Sequence, residues 1–252
     1  MEYTSGVVVT TRQGMGRVLQ ATRAFSPGDL VLREAPLLFY FDELPNSHFD
    51  TFMETSAEEQ QQILDLHRLK LGEPAHFTSC ERRVGELEAL ARRVAAIWLR
   101  SSSSHGQAPD AAWPLAFELL SIAEFNGQRM ANLPWQEAIL KQQQARLPPG
   151  QPEMAGAAVF CLASRAVHAC VLNCAVTTQN PYGGMSYYAA QPIAAGDLNT
   201  VAYADSSAAP TLERLERLAR TKDFVCACAR CAAPDATRGV ACARCANGVV
   251  MP

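Results

Sequence analysis

Five of the nine cysteines, Cys226, Cys228, Cys231, Cys242 and Cys245, fall in one twenty-residue stretch near the C-terminus. The N-terminus reads MEYTSGVVVTTRQ, without the basic start and apolar run of a secretory signal, so the chain is expected to be intracellular, cytoplasmic or nuclear, with reduced thiols. In that setting CxC and CxxC spacings read as metal ligation before they read as disulfides. Cys226-x-Cys228-x2-Cys231 supplies three thiolates, and a closed structural zinc site wants four tetrahedral ligands. A competing combination is Cys228, Cys231, Cys242 and Cys245, whose CxxC-x10-CxxC spacing is that of a zinc ribbon but leaves Cys226 out. Nine is odd, so at least one cysteine is a bystander, and Cys80 and Cys161 read most simply as small buried residues. His48, His67, His76 and His105 show no ligand spacing and read as surface or packing residues.

These groups must be held by elements, and the sequence alternates between two kinds. Residues 6–40 give short β-type runs, around 6–10, 17–21 and 29–40, punctuated by Gly14, Gly16, Pro27 and Gly28. Ser56-Ala57-Glu58-Glu59 is then a capping box opening a helix that runs on through QQQILDLHRLKL. Val84, Leu87, Leu90, Ala91, Val94, Ile97 and Trp98 recur at three- and four-residue steps, an apolar stripe on a helix from about Glu81 to Arg100. SSSSHGQAPD breaks it as a surface loop. Further helices are expected from Trp113-Pro114 and from Pro134, each with proline in a first turn. β character returns at 173–178, 185–191 and 199–203, with a hairpin-like turn at Asn180 to Gly184. A last amphipathic helix, TLERLERLARTK, leads into the cysteine cluster. The expected class is α+β, with β parts flanking a helical insertion.

Composition narrows the function. With 48% apolar and 19% charged residues the chain can bury a sizeable core, which excludes collagen, coiled coil and bulk disorder. No run approaches the eighteen apolar residues of a membrane span, so no membrane insertion is expected. A net charge of −3, without a Lys/Arg cluster, argues against direct nucleic-acid binding.

Four segments in fixed order, GMGRVLQATRAFSPGDLVLREAPLL, SIAEFNG, VHACVLNC and GDLNTVAYAD with its trailing FVCACARC, carry a family resemblance. The chain resembles a SET-domain protein, and more narrowly the branch related to the SET-and-MYND proteins. The MYND finger is absent, since no run of paired cysteines lies between Tyr40 and Trp113. The resemblance implies a β-rich SET fold of short sheets with a pseudoknot, a helical insertion and a C-terminal zinc-binding post-SET segment. Its boundaries would be 1–40 and 146–205 for the two parts of the SET core, 41–145 for the insertion and 206–252 for the post-SET helix and cysteines.

The implied activity is S-adenosylmethionine-dependent protein-lysine N-methyltransfer, with the cofactor on one face and a protein's lysine entering from the other. Such a reaction needs in-line geometry and a desolvated neutral amine more than a strong base. Residue by residue, the resemblance implies that Tyr203 is catalytic and lies near the cofactor. Met15, Gly16 and Arg17 match the cofactor-contacting turn, Asn126 and His168 match cofactor contacts, and Phe224 matches the aromatic that packs on the adenine. It also implies Cys170 as the fourth zinc ligand beside Cys226, Cys228 and Cys231, while Cys242 and Cys245 resemble half of a second Cys-x2-Cys site.

Where the family reads Asn-His-Ser-Cys-x-Pro-Asn, this chain reads Val167-His168-Ala169-Cys170-Val171-Leu172-Asn173. Valine can neither donate nor accept a hydrogen bond. Loss of one charge-assisted bond costs about 1.5 to 3 kcal/mol, a ten- to hundredfold weakening. Val18 stands where a second glycine is usual. These departures open an alternative: a catalytically inactive SET-fold scaffold or interaction subunit whose partner is a protein.

Overall fold

The structure is a computed structural model; it describes residues 5–41, 44, 46–72, 78–101, 109–130, 156–178, 184–203, 209–245 and 249–250. β1 (Val7–Arg12) and β2 (Gly16–Ala21) form an antiparallel hairpin closed by a Met15 N–H bond to the Arg12 carbonyl at 3.1 Å. Its turn carries Gly14 at φ +76° and Gly16 at φ +73°, a backbone that residues with a Cβ seldom adopt. The 29–40 run divides at Ala35-Pro36 into β3 (Leu30–Glu34) and β4 (Leu38–Phe41), because proline has no N–H to give a ladder.

Helices follow. α1 (Ser47–Glu54) precedes α2 (Ala57–Leu64), which starts at the expected capping box: Ser56 Oγ accepts from Glu59 N–H, and the Glu59 carboxylate accepts from Ser56 N–H at 2.8 Å. α2 stops at Leu64, earlier than the sequence suggests. Leu66 and Leu69 are buried from a non-helical segment, and Leu69 N–H donates to Ser121 Oγ at 2.7 Å. α3 (Thr78–Ser101) buries Leu87, Ala91, Val94 and Trp98 of the expected stripe. α4 (Pro109–Asn126) begins four residues before the expected start and carries Pro114 inside it. Pro109 holds the first position instead, and Ala112, Ala116 and Phe117 draw the whole segment into the core. The expected helix from Pro134 and the turn at 180–183 lie outside the described residues.

β5 (Gln128–Arg129) and β6 (Gly156–Val159) join β4 in a sheet of order β4-β6-β5. β7 (Val167–His168), β8 (Cys174–Thr177), β9 (Met185–Ala189) and β10 (Thr200–Val201) complete the β part, with a second sheet of order β3-β9-β8. β6 and β7 carried no strand signal, because GAAV is poor in branched residues and two residues show no period.

Both faces of β4 and β6 are covered. Leu38, Tyr40, Ala157 and Val159 face the core built on α1 to α4, whereas Phe39, Phe41, Ala158 and Phe160 face the core of the β part. The alternation is the period-2 geometry of a strand used twice. Residues 196–201 run between β2 and β7: Ala21 N–H donates to Asp197 O, Asn199 N–H to Leu19 O, and Val167 and Ala169 N–H to Asn199 O and Val201 O, all at 2.9–3.1 Å. Asn173 clamps this segment by accepting from Thr200 N–H at 2.7 Å and donating to the Leu198 carbonyl at 2.9 Å.

α5 (Thr211–Lys222) ends where Asp223 turns left-handed at φ +57°. The cysteine segment follows, with a single turn α6 (Ala229–Ala232) and a small hairpin of β11 (Val240–Ala241) and β12 (Val249–Val250). The protein is thus a mixed α+β molecule of short sheets, helices packed on one of them and a cysteine cluster near the C-terminus. No helix among the described residues is long and apolar enough to cross a membrane.

Candidate metal centre and the adjoining tyrosine cleft

Cys170 sits just past β7, and Cys226, Cys228 and Cys231 follow α5, fifty residues away in sequence. The structure gathers their four sulfurs within 4.8 Å of one another, with Cys170 and Cys231 3.5 Å apart. A tetrahedral zinc with Zn–S near 2.3 Å has S–S edges of about 3.8 Å, so the donor set and its spacing fit such a cation.

Cation-free, these thiols oppose one another. Burial pushes Cys226 up to about 12 and also raises Cys170, which lies against Cys231. Burial works against ionising Cys228 too, but hydrogen bonds from the backbone of Cys170 and Cys231 outweigh it and bring that thiol down to about 6. Cys228 is thereby brought toward the thiolate, and a bound cation would favour ionising Cys170 and Cys226 beside it. Arg214 is 2% exposed and reaches Cys231 Sγ at 3.8 Å, a fixed positive charge beside the sulfurs.

The ribbon combination is not assembled. Cys242 and the exposed Cys245 lie apart in the β11–β12 turn, where Arg244 N–H donates to Cys242 Sγ at 3.4 Å. Cys174 is buried against the Asn199 amide at 3.6 Å and Cys161 is half-buried; the side chain of Cys80 lies outside the described residues. His48 stacks on Tyr40 and His67 meets Phe125 edge-on, both as packing residues, while His76 and His105 fall outside the described residues.

His168 ties the cluster to Tyr203. Its Nδ1 accepts from the Tyr203 backbone N–H at 3.1 Å, and its Nε2 lies 3.4 Å from Cys170 Sγ. With Nδ1 an acceptor, the neutral ring carries its proton on Nε2, aimed at the sulfur. Burial, then the Arg214 charge, lower the His168 pKa and favour that neutral form. The Tyr203 hydroxyl donates to the Ala166 carbonyl at 2.5 Å, and burial pushes it up to about 12, so it is a neutral phenol at pH 7. Phe224 closes the group, its ring 6.2 Å from Tyr203 and 6.0 Å from His168.

A cleft of about 60 Å³ opens beside Tyr203, bounded by Asn126, Gln128, Ser164 and Lys222 among others. Asn126 is buried at the end of α4 and spends both Nδ2 protons on the carbonyls of His67 (2.7 Å) and Ile122 (2.9 Å). Only its Oδ1 is left to meet a ligand. Lys222 Nζ donates to the carbonyls of Phe125 (2.8 Å) and Glu124 (3.2 Å) and stands 5.9 Å from the centre of the Tyr203 ring.

The three residues expected at the cofactor turn do not line this cleft. Met15 is 61% exposed at the β1–β2 turn, and the space where a Gly16 side chain would stand is open. Arg17 pairs with the Asp65 carboxylate and its backbone carbonyl, while Arg165 reaches the same carboxylate at 3.5 Å. The Arg17 guanidinium holds Asp65 below the usual carboxylate range. Val167 lies in β7, its N–H bonded to Asn199 O.

Lys222 forms part of the cleft's wall, and Arg17 and Asn126 spend their donors within the chain. Sequence reasoning missed Lys222, Arg214 and Asp65. Each is a charged residue on an amphipathic or helix-ending stretch, and the ordinary expectation there is solvent.

No family model matches the chain, and neither does any curated protein. Among solved structures, the SET domain of LSMT bound to lysine and AdoHcy is similar at a TM-score of 0.43 and 10% identity. The match covers 89% of this chain and 54% of that one, so the chain spans about half the length of that structure.

Proposed function

We propose that the chain is a SET-type protein-lysine methyltransferase domain whose four-cysteine cluster binds a structural zinc and whose S-adenosylmethionine site is degenerate. The observation that carries this reading is the chain of contacts from Cys170 through His168 to Tyr203, which joins three expected site residues in one half-buried unit. Zinc held by Cys170, Cys226, Cys228 and Cys231 would fix the His168 ring, and the ring fixes the Tyr203 backbone. Tyr203 already donates to Ala166 O, so its oxygen lone pairs are what it offers an incoming amine N–H. Phe224 supplies an apolar wall against which an aromatic ligand could pack. When bound, S-adenosylmethionine would supply an electrophilic methyl group on a sulfonium.

A second reading, a non-catalytic SET-fold scaffold with a protein partner, is favoured by Val167, which brings no polar group, and by Arg17 and Asn126, whose donors are spent within the chain. Calorimetric titration of the purified protein with S-adenosylmethionine separates the two. Binding in the micromolar range, with transfer to a lysine lost in Tyr203→Phe, supports the enzyme. No heat of binding from the unmodified protein or from Val167→Asn rejects it and leaves the scaffold.

A further inference from the structure

Lys222 is the last residue of α5, yet its amine does not point to water or cap its own helix. It crosses to α4 and donates to two carbonyls of that helix's last turn, Phe125 O and Glu124 O. The C-terminal end of a helix carries partial negative charge and unsatisfied acceptors, which suits a cation. The Tyr203 ring lies within the roughly 6 Å at which a π-face attracts an ammonium. Two carbonyls and a π-face leave few of the three N–H donors of a primary ammonium for water. Desolvation lowers the Lys222 pKa, Glu124 acting against this and Arg83 with it, the latter two being paired to each other.

We infer that the cleft beside Tyr203 is a binding site for a primary alkylammonium and that Lys222, seated in it, holds it shut against an external amine. This rests in part on the proposed function, since it gives that site an internal occupant of the same chemical class as its substrate. Its geometric basis is nonetheless separate, because the carbonyl pair and the ring bind an amine whether or not any methyl donor binds.

Two measurements test it on the full chain. The first labels the unmodified protein with an amine-acylating ester and reads each lysine by mass spectrometry. Lys222 is expected to react at least tenfold more slowly than the exposed Lys70. Equal rates would overturn the seat. The second titrates n-butylammonium into protein carrying ¹³C-labelled tyrosine, comparing the unmodified chain with Lys222→Ala and Lys222→Arg. The alanine variant is expected to bind at least tenfold more tightly, with the Tyr203 resonance shifting, while the arginine variant stays closed. A folded alanine variant that binds no amine, or an unmodified chain that binds it equally well, refutes the inference. S-adenosylmethionine is titrated into the same samples. If it binds none of them while n-butylammonium binds Lys222→Ala, the methyltransferase reading falls and the ammonium site stands. If it binds and n-butylammonium does not, the reverse holds.

Discussion

At the scale of single residues the protein turns on Cys170 and His168. Cys170 is separated from its partners by more than fifty positions but is 3.5 Å from Cys231. Cys170→Ser should therefore reduce bound zinc from about one per chain to a small fraction, measured by metal analysis after dialysis. Cys174→Ser should leave it unchanged, since Cys174 packs against Asn199 away from the cluster. Equal loss in both variants would remove the specific ligand set. His168→Ala deletes two contacts at once, to the Tyr203 backbone and to Cys170. At about 1 kcal/mol for each ordinary hydrogen bond, and more for one left with a buried unpaired partner, the expected loss is about 1–3 kcal/mol in urea unfolding. Cys170, Cys226, Cys228 and Cys231 stand out in the sequence by type and by motif. Lys222 does not, because nothing local says that a lysine at the end of an amphipathic helix will turn inward.

Among the elements, the C-terminal segment depends on links outside its own short secondary structure. α6 is one turn long, too short to persist alone, so the cluster is what holds residues 226–231. Removing metal with a chelator should raise amide exchange across residues 223–245 by tenfold or more while β3, β8 and β9 keep their protection. Uniform protection throughout would mean that the segment folds without metal. Asp235 fastens the other side: it accepts from Thr211 N–H at 2.7 Å, at the start of α5, and from Thr237 Oγ1 at 2.7 Å. These bonds, the one from Thr211 first, bring its carboxyl from 3.8 down to about 2. The folded pKa lies below the unfolded one, so the stabilisation is complete above about pH 4 and is lost as pH falls toward 2. Asp235→Asn should flatten that acid limb; an unchanged acid profile would show the bonds to be immaterial. Element existence was readable where periodicity was long, as in α3, or where a cap was written out, as at Ser56. The ends of α2 and α4 were not, because Leu66, Leu69 and Ala112 obey the core rather than the helix period.

On the scale of the molecule, β4 and β6 belong to both cores, which couples the helices to the β part. Phe117→Ala in the helical core and Leu19→Ala in the β core, both fully buried, should each destabilise by about 3–5 and 2–5 kcal/mol respectively. Both losses should appear in one shared thermal transition; two separate transitions, one moved by each variant, would show independent units. Gly184 at φ +77° is a further test, since a Cβ there would strike the Glu34 carbonyl, and Gly184→Ala should cost at least about 1–3 kcal/mol from the backbone strain alone. What the sequence alone determined is what depends on short range: the α+β class from its periods, the capping box, the glycine turn and the thiol triad from its spacing. What only the tertiary structure decided is which distant groups meet. It turned Arg17 onto Asp65 and carried the Lys222 amine to the carbonyls of Glu124 and Phe125. Each of those pairings spans tens of residues, and the chain's local preferences carry no term for a partner that arrives only when the two cores close around β4.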